Sequence, residues 1–188
     1  MSQTTIWDAA LSYACGMDAA AAFAEAPVFS HIVSPVDADL QTVLSSVADM
    51  DDDTRTRLVH FTYALAAMLP NSETVVFPHT DANSALKKLY PNRPALEPLL
   101  SVIDHLNALR ESCDALPDGS FQLVKAEGDL LHFSRSGPTE ILDAIFNRGP
   151  HLLLEEIDDK STQVNPYGFT LTVREHGHNA NHSYYDYR

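Results

Sequence analysis

Apolar residues recur with helical spacing through the first half of the chain and with strand-like alternation through the second. Near the front, Ile6, Trp7, Ala10, Leu11 and Ala14 mark one helix. Gly16 can end it, and Asp18 can cap an alanine-rich helix that stops before Pro27. A β-prone run at 28–33 closes at Pro35, and Leu40, Val43, Leu44 and Val47 form one face of a further short helix. A longer helix is predicted over 54–69, with Leu58, Phe61, Leu65 and Met68 on its apolar face and Pro70-Asn71 as its stop. Residues 74–77 are β-prone, and 78–93 reads as a loop carrying a short helix. The next strong pattern, Leu96, Leu99, Leu100, Ile103 and Leu106, predicts a helix over about 96–110, with Pro94 and Pro98 near its start where proline is tolerated.

Past Pro117 the period changes. Short β-type runs at 120–126, 130–135, 141–147, 152–157 and 169–174 are separated by Glu127-Gly128-Asp129, Ser136-Gly137-Pro138, Gly149-Pro150 and Asn165-Pro166. Five closely spaced strands predict an antiparallel sheet or small sandwich, with Phe121, Phe133, Ile145 and Phe169 in one shared core. The fold class expected is α+β: a mainly helical segment at 1–117, an antiparallel β-domain at 118–175 and a polar, aromatic tail at 176–188.

Composition narrows the function. With 188 residues, 45% of them apolar, the chain can bury a sizeable core. The net charge of −14 argues against nucleic acid, since the only local basic pair is Lys87-Lys88. The apolar stretches are too short to span a bilayer, and the N-terminus lacks the pattern of a signal peptide, so a cytoplasmic protein off the membrane is expected. Cys15 and Cys113, far apart and outside any Cys-x-x-Cys pair, are expected as reduced, buried thiols.

Candidate chemistry is sparse. Asp49-Met50-Asp51-Asp52-Asp53 does not make a calcium loop, because the sixth and twelfth positions are Thr54 and His60 where glycine and an acid are needed. Helix capping is the expected use of these aspartates. His176, His178 and His182 form the one local cluster with metal-ligand chemistry. A flexible polar tail is the simpler reading of the same residues. Tyr184, Tyr185 and Tyr187 could stack on a sugar or a partner, or simply be solvated. The sequence has no Gly-x-Ser-x-Gly elbow, no phosphate loop with lysine and no His-Glu-x-x-His helix. No cofactor is expected.

A family resemblance runs through these elements. Leu106-Asn107-Ala108-Leu109-Arg110 followed by Ala115-Leu116 resembles the last barrel helix of α-amylase-family glycoside hydrolases, which leads into their C-terminal β-domain. Gly119-Ser120-Phe121-Gln122-Leu123 and Leu131-His132-Phe133-Ser134-Arg135 resemble the first two strands of that domain, the second carrying an aromatic-x-Arg pattern. Ile145-Phe146-Asn147-Arg148-Gly149 and Pro166-Tyr167-Gly168-Phe169 resemble the next and the closing strands. Upstream, Leu69-Pro70-Asn71 matches the turn before the eighth barrel strand in shape, but Val76-Phe77-Pro78-His79-Thr80-Asp81 replaces the family's Tyr-Tyr-Gly-Asp/Glu. The family's His-Asp pair after the seventh strand has its nearest counterpart in Ser34-Pro35-Val36-Asp37, where the histidine is missing.

The resemblance implies that the helical half is a partial β/α-barrel remnant and that Asp37 is the aspartate placed to meet sugar hydroxyls. It also implies that the nucleophile and acid of the fourth and fifth barrel strands lie outside this chain, since a full barrel takes about 250 residues. The expected function is a non-catalytic or fragmentary relative of these enzymes, structural or carbohydrate-associated. The alternatives are an unrelated α+β interaction module and one half of a split hydrolase. A homo-oligomer or a partner chain is expected to cover barrel-like helix faces left open.

Overall fold

In the computed structural model, the described residues are Tyr13, Ser45, 48–70, 84–116, 118–157 and 160–177, with 84–86 and 181–186 described for their backbone. The expectations at 6–11, 14–35, 37, 40–44, 74–81 and 178 lie outside them; Tyr13 and Ser45 are both helical.

Among the described residues, three helices of more than one residue, α1 (Asp52–Met68), α2 (Ser84–Leu89) and α3 (Arg93–Ser112), precede seven strands: β1 (Ser120–Glu127), β2 (Leu130–Ser136), β3 (Glu140–Asn147), β4 (Leu153–Ile157), β5 (Lys160–Val164), β6 (Gly168–Glu175) and β7 (Asn181–Asp186). This is the expected α+β arrangement. Among the described residues the strands form an open five-stranded antiparallel sheet, ordered β1-β2-β3-β6-β7, and a separate β4-β5 hairpin; they close no barrel.

The acidic run does cap a helix. Asp51 accepts a 2.8 Å hydrogen bond from the Thr54 amide at the start of α1, and its carboxyl is held below the usual range chiefly by that bond. Asn92 plays the same part for α3 through the Ala95 amide at 3.0 Å. From Leu58 to Met68, α1 is buried on every side, including Val59, Tyr63 and three alanines away from the predicted stripe. It is a central helix, packed on α3, α2, β3 and β6.

The sheet has two unlike faces, and its register aligns like with like. Toward the helices, Leu131, Phe146 and Phe169 lie in one row across β2, β3 and β6, and Phe133, Ala144 and Leu171 in the next. Their rings form a continuous stack: Phe133 lies 5.9 Å from Phe146, Phe146 lies 5.7 Å from Phe169, and Phe61 of α1 meets Phe146 edge-on at 5.2 Å. Phe121 joins at the rim, 5.2 Å from Phe133. On the opposite face the hairpin covers a small apolar cluster of Leu130, Ile145, Ile157 and Val164, flanked by Leu153.

Ile145 therefore does not share the core of Phe121, Phe133 and Phe169. Side chains alternate along a strand, so Phe146 takes the helix side and Ile145 the hairpin side. Two strands were not predicted. β5 runs Lys-Ser-Thr-Gln-Val, with only its last residue buried. β7 falls in the stretch expected as a polar tail: 181–186 pair with β6 along the sheet edge, where backbone hydrogen bonds hold a strand whatever its side chains.

Candidate functional site

None of the candidate site residues forms a described site. Asp37 and His178 lie outside the described residues, and His182 is placed only by its backbone, opposite Val173. His176 is exposed after β6, its Nε2 2.9 Å from the Gly137 carbonyl, beside a shallow hollow lined by Pro138, Thr139, Glu140 and Glu175. Among the described residues no group of three histidine, cysteine or carboxylate side chains could hold a metal ion. Cys113 is a buried free thiol, pushed up to about 11 chiefly by burial, which leaves it unreactive at neutral pH.

The concentration of ionisable chemistry lies elsewhere, on the hairpin side of the sheet. His132, Asp143 and Glu155 are all buried there. His132 Nδ1 lies 3.3 Å from Glu155 Oε1 of β4, and its Nε2 lies 3.5 Å from Asp143 Oδ1 of β3. The outer oxygens are also engaged: Arg174 of β6 donates to Asp143 Oδ2 at 3.0 Å, and Lys125 of β1 donates to Glu155 Oε2 at 3.1 Å. The result is one alternating row, Lys125–Glu155–His132–Asp143–Arg174, drawn from five strands.

Local backbone features set up this row. The irregularity between Leu123 and Lys125 shifts the alternation of β1, so that Lys125 stands opposite His132 on the hairpin side. Asp143 lies opposite Thr172, two residues from Arg174 on β6, within reach of a diagonal cross-strand pair. Burial pushes the Asp143 carboxyl upward, but the hydrogen bonds from His132 and Arg174 outweigh it and leave the group below its ordinary range.

A second buried charge sits on the helix face. Arg135 donates to three carbonyls: Met68 at 3.1 Å, Leu116 at 2.9 Å and Gly119 at 3.1 Å. Arg110 adds a bond to Ala67 at 3.0 Å, so two guanidinium groups cap the carboxyl end of α1, which has no basic residue in its own last turn. Burial, then the nearby Arg110, lowers Arg135 to about 10, which keeps it charged at neutral pH.

Chemically, the outer-face row is an ion-pair network rather than a glycosidase pair. Such enzymes need one carboxyl kept protonated and a second free to attack or to activate water. Here His132 stands between the two carboxylates, all four of their oxygens are engaged, and Asp143 is shifted toward the ionised form. Sequence reading missed the network because its partners come from separate strands. The available signal was single charged residues at Lys125, His132, Asp143 and Glu155 inside otherwise β-prone runs.

No protein-family model matches the chain, and no curated protein matches its sequence. Solved structures do match its fold. The ligand-free cyclic α-maltosyl-(1→6)-maltose hydrolase from Arthrobacter globiformis superposes with a TM-score of 0.61 at 18% identity, over 91% of this chain and 43% of that one. The type I pullulanase from Bacillus subtilis, complexed with maltose, gives 0.62 at 10% identity, over 90% and 34%. The type III pullulan hydrolase from Thermococcus kodakarensis gives 0.57 at 16%, over 87% and 34%. This chain thus spans less than half the length of each of these structures. At such identities the likeness is one of fold, shared with part of each of these hydrolases.

Proposed function

We propose that the chain is a non-catalytic relative of α-amylase-type glycoside hydrolases, with a structural or carbohydrate-associated role in the cytoplasm. One observation carries this reading: the buried carboxylates Asp143 and Glu155 are committed to His132, Arg174 and Lys125, and neither is left as an acid or a nucleophile. The fold likeness to a cyclic maltosyl-maltose hydrolase and to pullulan-acting enzymes supports the carbohydrate side of the proposal. Asp37 remains the proposed contact to sugar hydroxyls. No described helix is long and apolar enough to cross a membrane.

The test is reducing-sugar release from soluble starch, pullulan and maltose, run beside binding of maltooligosaccharides by calorimetry. The expected result is no release above a heat-killed control. Release that disappears on substituting an acidic residue overturns the non-catalytic reading; absence of binding by the wild type removes the carbohydrate role, and binding unchanged in Asp37→Ala removes Asp37 as the contact.

A second reading rests on the same fold likeness and takes the chain as one half of a split hydrolase completed by another chain. Self-association or a partner belongs to the proposal in either case. Leu58–Met68 of α1 is buried on every side and Leu99, Ile103 and Leu106 of α3 are buried, while Leu96 and Leu100 of α3 are half-buried, so the apolar part of α1 does not supply the open surface. Light scattering across a tenfold dilution, alone and with the product of a neighbouring reading frame, separates a monomer, a homo-oligomer and a two-chain assembly.

A further inference from the structure

The β4-β5 hairpin lies over the outer face of the main sheet on two unlike attachments, beside a neutral bond from the Thr170 hydroxyl of β6 to the Gln163 carbonyl of β5 at 3.3 Å. At its base, the fully buried Asn147 holds both ends of the hairpin. Its Nδ2 donates to the carbonyls of His151 at 2.7 Å, Val164 at 3.2 Å and Asn165 at 3.0 Å, and its Oδ1 accepts from the Gly149 amide at 2.9 Å. None of these groups titrates. Further along, Glu155 of β4 reaches His132 and Lys125, and the apolar cluster beneath is small.

The chemistry of the imidazole fixes what this second attachment needs. Both ring nitrogens face carboxylate oxygens, Nδ1 that of Glu155 and Nε2 that of Asp143. A neutral ring carries one N–H, so one contact would set a nitrogen lone pair against a carboxylate; only a ring bearing both protons donates to both. Arg174 of β6 secures Asp143 from the far side and Lys125 of β1 secures Glu155, so among the described residues these four are the charged groups that face or back the ring.

We propose that the hairpin is a flap hinged at Asn147 and latched by doubly protonated His132, so that loss of one imidazole proton releases it from the sheet. Opening uncovers Leu130 and Ile145 on the sheet and Ile157 and Val164 on the hairpin. The released flap is an isolated two-stranded hairpin, which is at best marginally stable in water, so it frays. The sign follows directly. The latch holds while the ring bears both protons and both carboxylates are ionised, and it weakens as pH rises and one ring proton is lost.

Amide exchange on the intact chain, read as protection factors to remove the intrinsic pH dependence, tests the flap. As pH is raised over the range in which the main sheet stays folded, protection in β4 and β5 is expected to fall about tenfold or more, one pH unit of linkage being a factor of ten. Protection in β2, β3 and β6 stays constant. The ring nitrogen shifts of His132 report both nitrogens protonated in the closed form. Glu155→Gln, which retains the shape and an acceptor, abolishes the pH step, and His132→Gln does the same where it folds. Flat protection in β4-β5 across this range, a singly protonated ring in the closed form, or an unchanged step in Glu155→Gln each overturns the proposal.

Discussion

The two faces of the five-stranded sheet are built from the same strands and hold their neighbours by different forces. Toward the helices, the rows of the register pair Leu131 with Phe146 and Phe169, and Phe133 with Ala144 and Leu171. Toward the hairpin, His132 stands beside Ile145 and Thr170, and Ser134 beside Asp143 and Thr172. Apolar burial is non-directional and scales with area, so the helix face can be large and tolerant in detail. The ion-pair row is directional, and each charge is tolerable in the interior only while its partner is present. A buried charge does occur on the helix face, where Arg135 is held by hydrogen bonds to carbonyl oxygens.

The largest expected effect tests that contrast within one strand. Phe146→Ala removes the ring at the centre of the aromatic stack and is expected to cost about 3–5 kcal/mol, whereas its neighbour Ile145→Ala should fall near the lower end of the 2–5 kcal/mol typical for that truncation. Chemical denaturation of both variants measures the difference. Equal losses would mean that the hairpin face contributes apolar stability comparable to the helix face.

Arg135→Met comes next. It leaves the carbonyls of Met68, Leu116 and Gly119 without their donor, and buried acceptors left unmet cost on the order of 1–3 kcal/mol. Arg135→Lys should rescue little, because one ammonium group cannot reproduce a planar fork that reaches three carbonyls. Full rescue by lysine would show that charge alone, and not the fork, secures the end of α1.

Much of the helix face was legible in the sequence, and little of the hairpin face was. Asp51 announces α1 as its cap, Pro94 and Pro98 mark the start of α3, and alternation marks β1, β2 and β6. In β3, however, Leu142 through Asn147 are all buried, so the strand presents no alternation and Ile145 could not be told from Phe146 as the residue facing the helices. β5 has one buried apolar residue, Val164, and β7 reads Asn-His-Ser-Tyr-Tyr-Asp; each is held as a strand by its neighbour's backbone, which a local pattern does not record. The ion-pair row joins His132 to residues 11 and 23 positions away, a pairing set by register and topology alone.

Within that row, Asp143→Asn is expected to cost roughly 2 kcal/mol at neutral pH. This is below the 3–5 kcal/mol of a fully buried pair broken on one side, since Arg174 keeps partial access to water and asparagine retains an acceptor. The pH dependence has a definite sign. Because the folded carboxyl lies below its ordinary range, its contribution is present above the unfolded value of about 3.9 and is lost as pH falls through the folded value. The stability gap between wild type and Asp143→Asn should therefore close toward acid pH. A gap that stays constant on acidification would assign the loss to packing and not to charge.

The smallest effect is expected at the open end of the row. Lys125 reaches Glu155 at 3.1 Å, but its side chain keeps 39% of its surface in water. An ion pair so placed exchanges hydration for a screened attraction and typically contributes about 0–1 kcal/mol. Lys125→Met keeps the length and apolar stem of the side chain, so the irregularity in β1 and its approach to His132 are preserved. Thermal unfolding should then differ from wild type by about 0.5 kcal/mol or less, and the difference should shrink further as salt is raised. A salt-insensitive loss as large as that of Asp143→Asn would place Lys125 among the structurally essential charges and make the row uniform from end to end. The expected gradient, weak at Lys125 and strong at Asp143, instead locates the energetic centre of this face beneath the hairpin, around His132.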